Sequence, residues 1–97
     1  MTGEPRLFVG GDAVLRLAPH TRFRFDEVRQ AWIVLAPERL MLPDEQAVEI
    51  LLLVDGERAV DGIIDKLAGR YDAPRDVIAV DVIKMLQDLV DKKVLRL

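Results

Sequence analysis

The chain has 97 residues, of which 51% are hydrophobic and 32% are charged, and its formal net charge at pH 7 is −3. This length and composition predict one folded domain with a single core, and they exclude a disordered chain or a pair of domains. Because the chain has no cysteine, disulfides, thiolate nucleophiles and cysteine-ligated metal centres are excluded as well.

The chain begins with residues 1–12, which contain glycine and proline without periodicity and predict a mobile N-terminus of the single domain 1–97. This stretch lacks the charged-then-apolar layout of a secretory signal. No apolar stretch in the chain approaches the ~20 residues that a membrane helix needs. We therefore expect a cytoplasmic protein that does not contact a membrane.

Strand patterns occupy the first half of the chain. Apolar and polar residues alternate in VLRLA, residues 14–18, and in RFRFDEV, residues 22–28. AWIVLA, residues 31–36, is a continuous apolar run, and RLML, residues 39–42, follows it across a turn at Pro37. We expect an antiparallel sheet of about three strands. A short apolar strand at its rim would leave one row of backbone groups without partners inside the protein.

After the strands the period of the apolar residues changes to that of an α-helix. Spacings of three and four residues predict helices over about 44–55 and 60–71, and a third within 74–93. The apolar residues of the third segment merge into a face wide enough to touch both a core and a partner. The closing VLRL, residues 94–97, alternates again and is expected to pack on the sheet. The predicted fold class is α+β and winged helix-turn-helix-like, with a small N-terminal sheet followed by a three-helix bundle.

The sequence offers little for catalysis. His20, the single histidine, lies in a predicted turn, where a solvated loop residue is the ordinary interpretation. The chain has no Gly-rich phosphate loop, no paired histidines and no serine elbow. We therefore expect no catalytic residue, no bound cofactor and no metal site, and a protein that is not an enzyme.

A sheet followed by three helices is also the element order of a winged-helix regulator, so nucleic-acid binding is the second hypothesis. Residues 43–97, however, carry eight basic and twelve acidic residues. On the third helix, aspartates such as Asp81 and Asp88 offset Lys84 and Lys92. Because a helix that lies on DNA needs a basic stripe, we expect no nucleic-acid partner.

The order of these features resembles the PqqD family of pyrroloquinoline quinone (PQQ) biosynthesis. The resemblance runs from about Val14 to Leu97 and depends on order and spacing more than on any single motif. The residues that carry it are Pro37-Glu38-Arg39, Ile50-Leu51, Asp55-Gly56, Ile63-Ile64, Asp81-Val82, Leu86 and Leu89.

The resemblance implies a peptide chaperone, the founding type of recognition element for ribosomally synthesised and post-translationally modified peptides (RiPPs). In this family the peptide is PqqA, which is presented to the radical SAM enzyme PqqE. The resemblance places the peptide as an added strand beside the third strand and against the third helix. The peptide-binding residues that it implies are Arg39, Leu40, Met41, Leu42, Val82, Met85, Leu86 and Leu89.

Two expectations qualify this assignment. Related recognition elements serve other products, so a different ribosomally made peptide stays open as an alternative partner. An exposed apolar edge can also pair with its own copy, so we expect a possible homodimer through the N-terminal strands. Compared with the family pattern, Asp44, Ala59 and Lys93 stand where other cap and turn residues are usual, and they are expected to weaken helix ends.

Overall fold

Four strands lie in the first half of the chain, in a computed structural model that describes residues 8–97. They are β1 (Arg16–Leu17), β2 (Arg22–Asp26), β3 (Ala31–Ala36) and β4 (Arg39–Met41). Antiparallel pairing joins β2, β3 and β4 in that order, so that β4 lies at one edge of the sheet. The predicted antiparallel sheet of three strands is therefore confirmed.

Three helices follow the sheet, and a short strand closes the chain. The helices are α1 (Glu45–Leu51), α2 (Val60–Arg70) and α3 (Arg75–Asp91). The last strand, β5 (Leu95–Arg96), pairs with β1 in a separate two-stranded sheet and not with the three-stranded sheet. The α+β fold class is confirmed. Within residues 8–97, no helix combines the length and the apolarity that a bilayer span requires.

Helix α1 ends four residues earlier than the apolar spacing predicts, at Leu51 instead of residue 55. The backbone N–H groups of Leu53 and Val54 donate to carbonyls three residues earlier, at 3.0 and 3.1 Å. Such bonds tighten the last turn beyond α-helical geometry. Gly56 then adopts a φ of 79°, which reverses the chain at low cost because glycine has no Cβ.

The backbone N–H groups at the N-termini of α1 and α2 find hydrogen-bond acceptors in two different ways. At α1 the Asp44 side chain accepts a hydrogen bond from the N–H of Ala47 at 2.8 Å, so this position caps its helix after all. At α2 the preceding Ala59 provides no side-chain cap. The N–H of Val60 instead donates to the carbonyl of Ala13 at 2.8 Å. A backbone group from the N-terminal segment thus replaces the missing cap.

The N-terminal segment contacts the helices as soon as the described residues begin. Val9 is buried, and its N–H donates to Oε1 of Gln87 on α3 at 2.9 Å. Gly11 accepts a hydrogen bond from the N–H of Asp61 at 2.8 Å. Val9 and Gly11, within the predicted mobile N-terminus, therefore contact the helices, whereas residues 1–7 lie outside the described residues.

The hydrophobic core is made mainly of helix residues. It is built from apolar residues of every helix together with one residue of β3 and the residues around β1 and β5. The side chains least exposed to solvent in this cluster are those of Leu15, Val34, Val60, Ile63, Ile64, Leu86 and Val94. The inner face of α3 is thus used to hold the fold together.

Candidate functional site

Among residues 8–97, no strand pairs with β4 on the side that faces away from β3. Ala36 and Arg39 are opposite each other across a two-residue turn, and Leu40 lies opposite Leu35. A two-residue hairpin turn closes on a hydrogen-bonded pair, and bonded and non-bonded pairs alternate along antiparallel strands. Arg39 and Met41 therefore direct their backbone groups toward β3. Leu40 directs its N–H and C=O outward, where an added strand would meet them.

The side chains of β4 and the following residue are divided between two faces of the sheet. Met41 lies opposite the buried Val34 and packs, partly buried, against the core. Leu40 and Leu42 lie on the other face and are 41% and 64% exposed. Apolar side chains at this exposure are available for contact with a partner that pairs with the strand.

The residues implied on α3 do not share one environment. Val82, Leu86 and Leu89 are only 3%, 0% and 5% exposed, so their side chains belong to the core. Met85 is partly buried at the border of the core, and Ile78 lies two turns before it on the same flank. Of the four implied residues on α3, only Met85 is therefore partly accessible. Ile78 belongs with it, although it was not among the implied residues.

We call the accessible set the β4–α3 surface. It comprises Arg39, Leu40, Met41, Leu42, Ile78 and Met85. The other three implied residues on α3, Val82, Leu86 and Leu89, are buried in the core and are not part of this surface.

Arg39 connects the turn end of β4 to the C-terminal end of α3. Its Nη2 group donates to the backbone carbonyl of Lys92, directly after the last residue of the helix. Carbonyls at a helix C-terminus lack intrahelical partners and carry partial negative charge, which favours a guanidinium there. This contact holds the start of β4 beside α3.

The exposed charges of α3 do not form a basic stripe within the described residues. Lys92 pairs with Asp88 at 2.9 Å, and Arg75 pairs with Asp65 of α2 at 2.8 Å. Lys84 is exposed between the acidic side chains of Asp81 and Asp88. A surface of this kind is poorly suited to following a phosphate backbone.

No reactive constellation is found in the part of the chain that the structure describes. Across residues 8–97, no group of three histidine, aspartate or glutamate side chains could hold a metal ion. His20 is exposed in the turn before β2 with a φ of 62°.

Comparisons with known proteins agree with this description. Residues 31–95 match the family model of coenzyme PQQ synthesis protein D (PqqD). A PqqA binding protein of Bradyrhizobium diazoefficiens is 53% identical over 92 residues, which cover 95% of this chain and 89% of the relative.

Two solved structures are also similar to the chain. The first is the solution NMR structure of the PqqD truncation of Methylobacterium extorquens PqqCD, a stand-alone RiPP recognition element, with a TM-score of 0.77 at 43% identity. The match covers 98% of this chain and 100% of the PqqD truncation. The crystal structure of PqqD from Xanthomonas campestris gives 0.57 at 32% identity, with 92% and 99% covered. Because the family model, the sequence identity and the fold agree over most of its length, the chain belongs to the PqqD family.

Proposed function

We propose that this chain binds the PqqA precursor peptide in PQQ biosynthesis, adds it as a strand to β4 and presents it to the radical SAM enzyme PqqE. The observation that carries the proposal is the outward-facing backbone of Leu40 on an edge strand. Added strands gain affinity from main-chain hydrogen bonds and specificity from the pockets that receive alternate side chains. Leu42 is an exposed apolar side chain directly after β4, and Met85 is a partly buried one on α3.

The identity of the peptide and of the enzyme comes from different sources. Relatives more than half identical to this chain are named PqqA binding proteins, and this supports PqqA as the peptide. Presentation to PqqE rests on the resemblance to the family. In this proposal the chain acts by binding alone, and the chemistry on the peptide belongs to the enzyme.

Proline substitution tests strand addition directly, because proline lacks an N–H and fixes φ. Leu40→Pro removes a donor that points outward, so we expect weaker PqqA binding with a small change in melting temperature. One main-chain bond contributes about 0.5–1.5 kcal/mol, so the loss is about threefold to tenfold in Kd. Met41→Pro removes a donor that faces β3 and should mainly lower the melting temperature.

Leu40→Ala is the matched control, since it removes the side chain and keeps the N–H. We would measure Kd by isothermal titration calorimetry and melting temperature by circular dichroism for all three variants. Equal affinities for Leu40→Pro and Leu40→Ala would show that the outward N–H is not used, and strand addition to β4 would then be wrong.

The identity of the partner needs a second titration. The unmodified chain is titrated with a PqqA peptide, an unrelated RiPP leader peptide and a short DNA duplex, and we expect saturable binding of PqqA alone. Equal binding of the unrelated leader would favour a recognition element for another product. Binding of the duplex would favour the winged-helix regulator.

A further inference from the structure

A basic pocket lies beside the turn that leads into β4. It has a volume of about 460 Å³, and three of its residues, Arg39, Lys93 and Arg96, are cationic. None of the lining residues is acidic. They are Ala18, Pro19, Thr21, Ala36, Pro37, Arg39, Lys93, Leu95 and Arg96. Ala36, Pro37 and Arg39 belong to the β3–β4 turn and its flanks, so the pocket lies at the turn end of the sheet and includes the first residue of β4.

Two of the three cationic side chains of this pocket have no ionic partner among the described residues. Lys93 and Arg96 form no ion pair with any residue of 8–97. Arg39 donates to the uncharged carbonyl of Lys92. Arg96 also lies directly opposite Arg16 across the β1–β5 pair, and like charges in that position repel. An anion in the pocket would relieve this repulsion.

A buried hydroxyl in the same pocket also lacks a partner. Thr21 is 8% exposed, and its Oγ1 makes no hydrogen bond with any described residue. Buried hydroxyls are nearly always hydrogen-bonded, because leaving one unpaired costs folding free energy. A hydroxyl in the wall of a cationic pocket suits a ligand with acceptor oxygens.

Strand addition by itself specifies register weakly. Every peptide residue offers the same backbone N–H and C=O, and β4 has only three residues, so a peptide can slip along it. A charged contact at one end of the edge would distinguish one register from the others. The pocket lies at the turn end of β4, because Arg39, the first residue of that strand, lines it.

We propose that the pocket formed by Thr21, Arg39, Lys93 and Arg96 receives an acidic side chain of the peptide that adds to β4, and so sets the register of that peptide. The inference rests on the proposed function and deepens it. The occupant is a peptide carboxylate and not a free anion, because the strand to which the peptide would add begins at Arg39, a residue of the pocket wall.

The test uses the double variant Lys93→Asn/Arg96→Gln. Asparagine tolerates the positive φ of residue 93, so the fold should be retained. Lys66→Gln/Arg24→Gln is the matched control, because both residues are exposed, form no ion pair within the described chain and lie outside the pocket. Both double variants change the net charge equally.

The probes are a PqqA peptide and a series of PqqA peptides in which one acidic residue at a time is changed to its amide. The pocket variant should bind the parent peptide about twofold to fivefold more weakly, and the control should be nearly unchanged. One of the amide peptides should bind the unmodified chain as weakly as the parent peptide binds the pocket variant. The same amide peptide should bind the pocket variant no more weakly than the parent peptide does, as expected for two groups that contact each other.

Each other outcome has a definite meaning. If the pocket variant binds the parent peptide as tightly as the control does, the inference is wrong, while Leu40→Pro still decides strand addition. If the pocket substitutions weaken the binding of every amide peptide to the same extent, the pocket charges attract the peptide without contacting one particular acidic residue. The assignment of the pocket to one peptide side chain is then overturned. If the unmodified chain binds no PqqA peptide, both the proposed function and this inference fail.

An additional titration with inorganic phosphate tests whether the pocket binds a free anion instead of a peptide side chain. Binding is monitored through the backbone NMR shifts of Thr21, Lys93 and Arg96. Saturable phosphate binding that the pocket variant abolishes, with unchanged peptide affinities, would make the pocket a small-anion site and overturn the peptide assignment. Peptide-induced shifts at these three residues, absent with the sensitive amide peptide, are the result expected from the proposal.

Discussion

Individual backbone positions explain where the chain holds strain. In residues 8–97, four non-glycine residues adopt positive φ, and Lys93 has the largest value, 66°. Lys93 follows the end of α3, where the N–H of Val94 donates to the carbonyl of Leu89 at 2.9 Å and the N–H of Lys93 to Val90 at 3.0 Å. This is the Schellman motif, whose left-handed position is usually glycine. The expected weakening at Lys93 therefore corresponds to a backbone conformation that disfavours side chains.

Replacing Lys93 by glycine should stabilise the fold. Removing a Cβ from the left-handed region should raise the free energy of unfolding by about 1 kcal/mol. Lys92→Gly is the control, because Lys92 has a φ of −82° and gains nothing from glycine. Urea unfolding of the two variants measures the difference. A less stable Lys93→Gly protein would contradict the strain argument.

Asp26 gives the hairpin between β2 and β3 a dependence on pH. The buried carboxylate accepts hydrogen bonds from Nη1 of Arg29 at 2.7 Å and from the N–H of Val28 at 3.0 Å. The bond from the Arg29 side chain is the main reason that the pKa of Asp26 lies below its ordinary value of 3.8. A lowered folded-state pKa stabilises the fold above 3.8, and this contribution is lost as the pH falls through the folded-state value.

Asp26→Asn should therefore lower the free energy of unfolding at neutral pH, and its difference from the unmodified chain should shrink at about pH 2.5. Glu27→Gln is the control, since the exposed carboxylate of Glu27 accepts no hydrogen bond within the described residues. Urea unfolding at both pH values gives the comparison. A difference that stays constant with pH would show that the charge of Asp26 does not stabilise the hairpin.

At the scale of elements, adjacent residues of α3 have different roles, because one packs in the core and the next lies at the border of the core. Leu86 is fully buried and contacts the core, whereas Met85, the preceding residue, lies at the border beside the accessible surface. Successive residues on a helix are separated by about 100°, so neighbours in sequence can face different environments. Stability and peptide binding should therefore respond to different substitutions on this helix.

Leu86→Ala should cost about 2–5 kcal/mol of stability, because it leaves a cavity in the core. Met85→Ala should cost less stability and should weaken PqqA binding, since its side chain contributes to the β4–α3 surface. Melting temperature and Kd are measured for both variants. Unchanged peptide affinity in Met85→Ala would remove this flank of α3 from the proposed site.

At the scale of the whole molecule, the three-stranded sheet has its open edge at β4, and the exposed Leu40 and Leu42 lie along it. Such an edge can pair with a second copy of the same chain. We predict a dimer at high concentration through the N-terminal strands, and release of monomer when the peptide occupies β4. Light scattering over a wide concentration range, with and without PqqA peptide, measures this. A monomer at every concentration would contradict the prediction.

Much of the fold is predictable because periodicity is a local property of the chain. Alternation in RFRF and three- and four-residue spacing after Pro43 correctly predict β2 and the three helices. The early end of α1 was not predictable, because the apolar spacing continues through Val54. The helix ends at Leu51 because the N–H groups of Leu53 and Val54 donate to carbonyls three residues earlier, which is a matter of backbone geometry and not of hydrophobicity.

The sequence by itself determined the number and type of the main elements, the single core and the short apolar strand at Arg39–Met41, since composition and periodicity are contained in neighbouring residues. Only the tertiary structure decided that Val82 lies inside the core and Met85 at its border. It also brought Thr21 to the same pocket as Lys93. These outcomes depend on contacts between residues far apart in the chain, and periodicity shows that a face is apolar without showing what covers it.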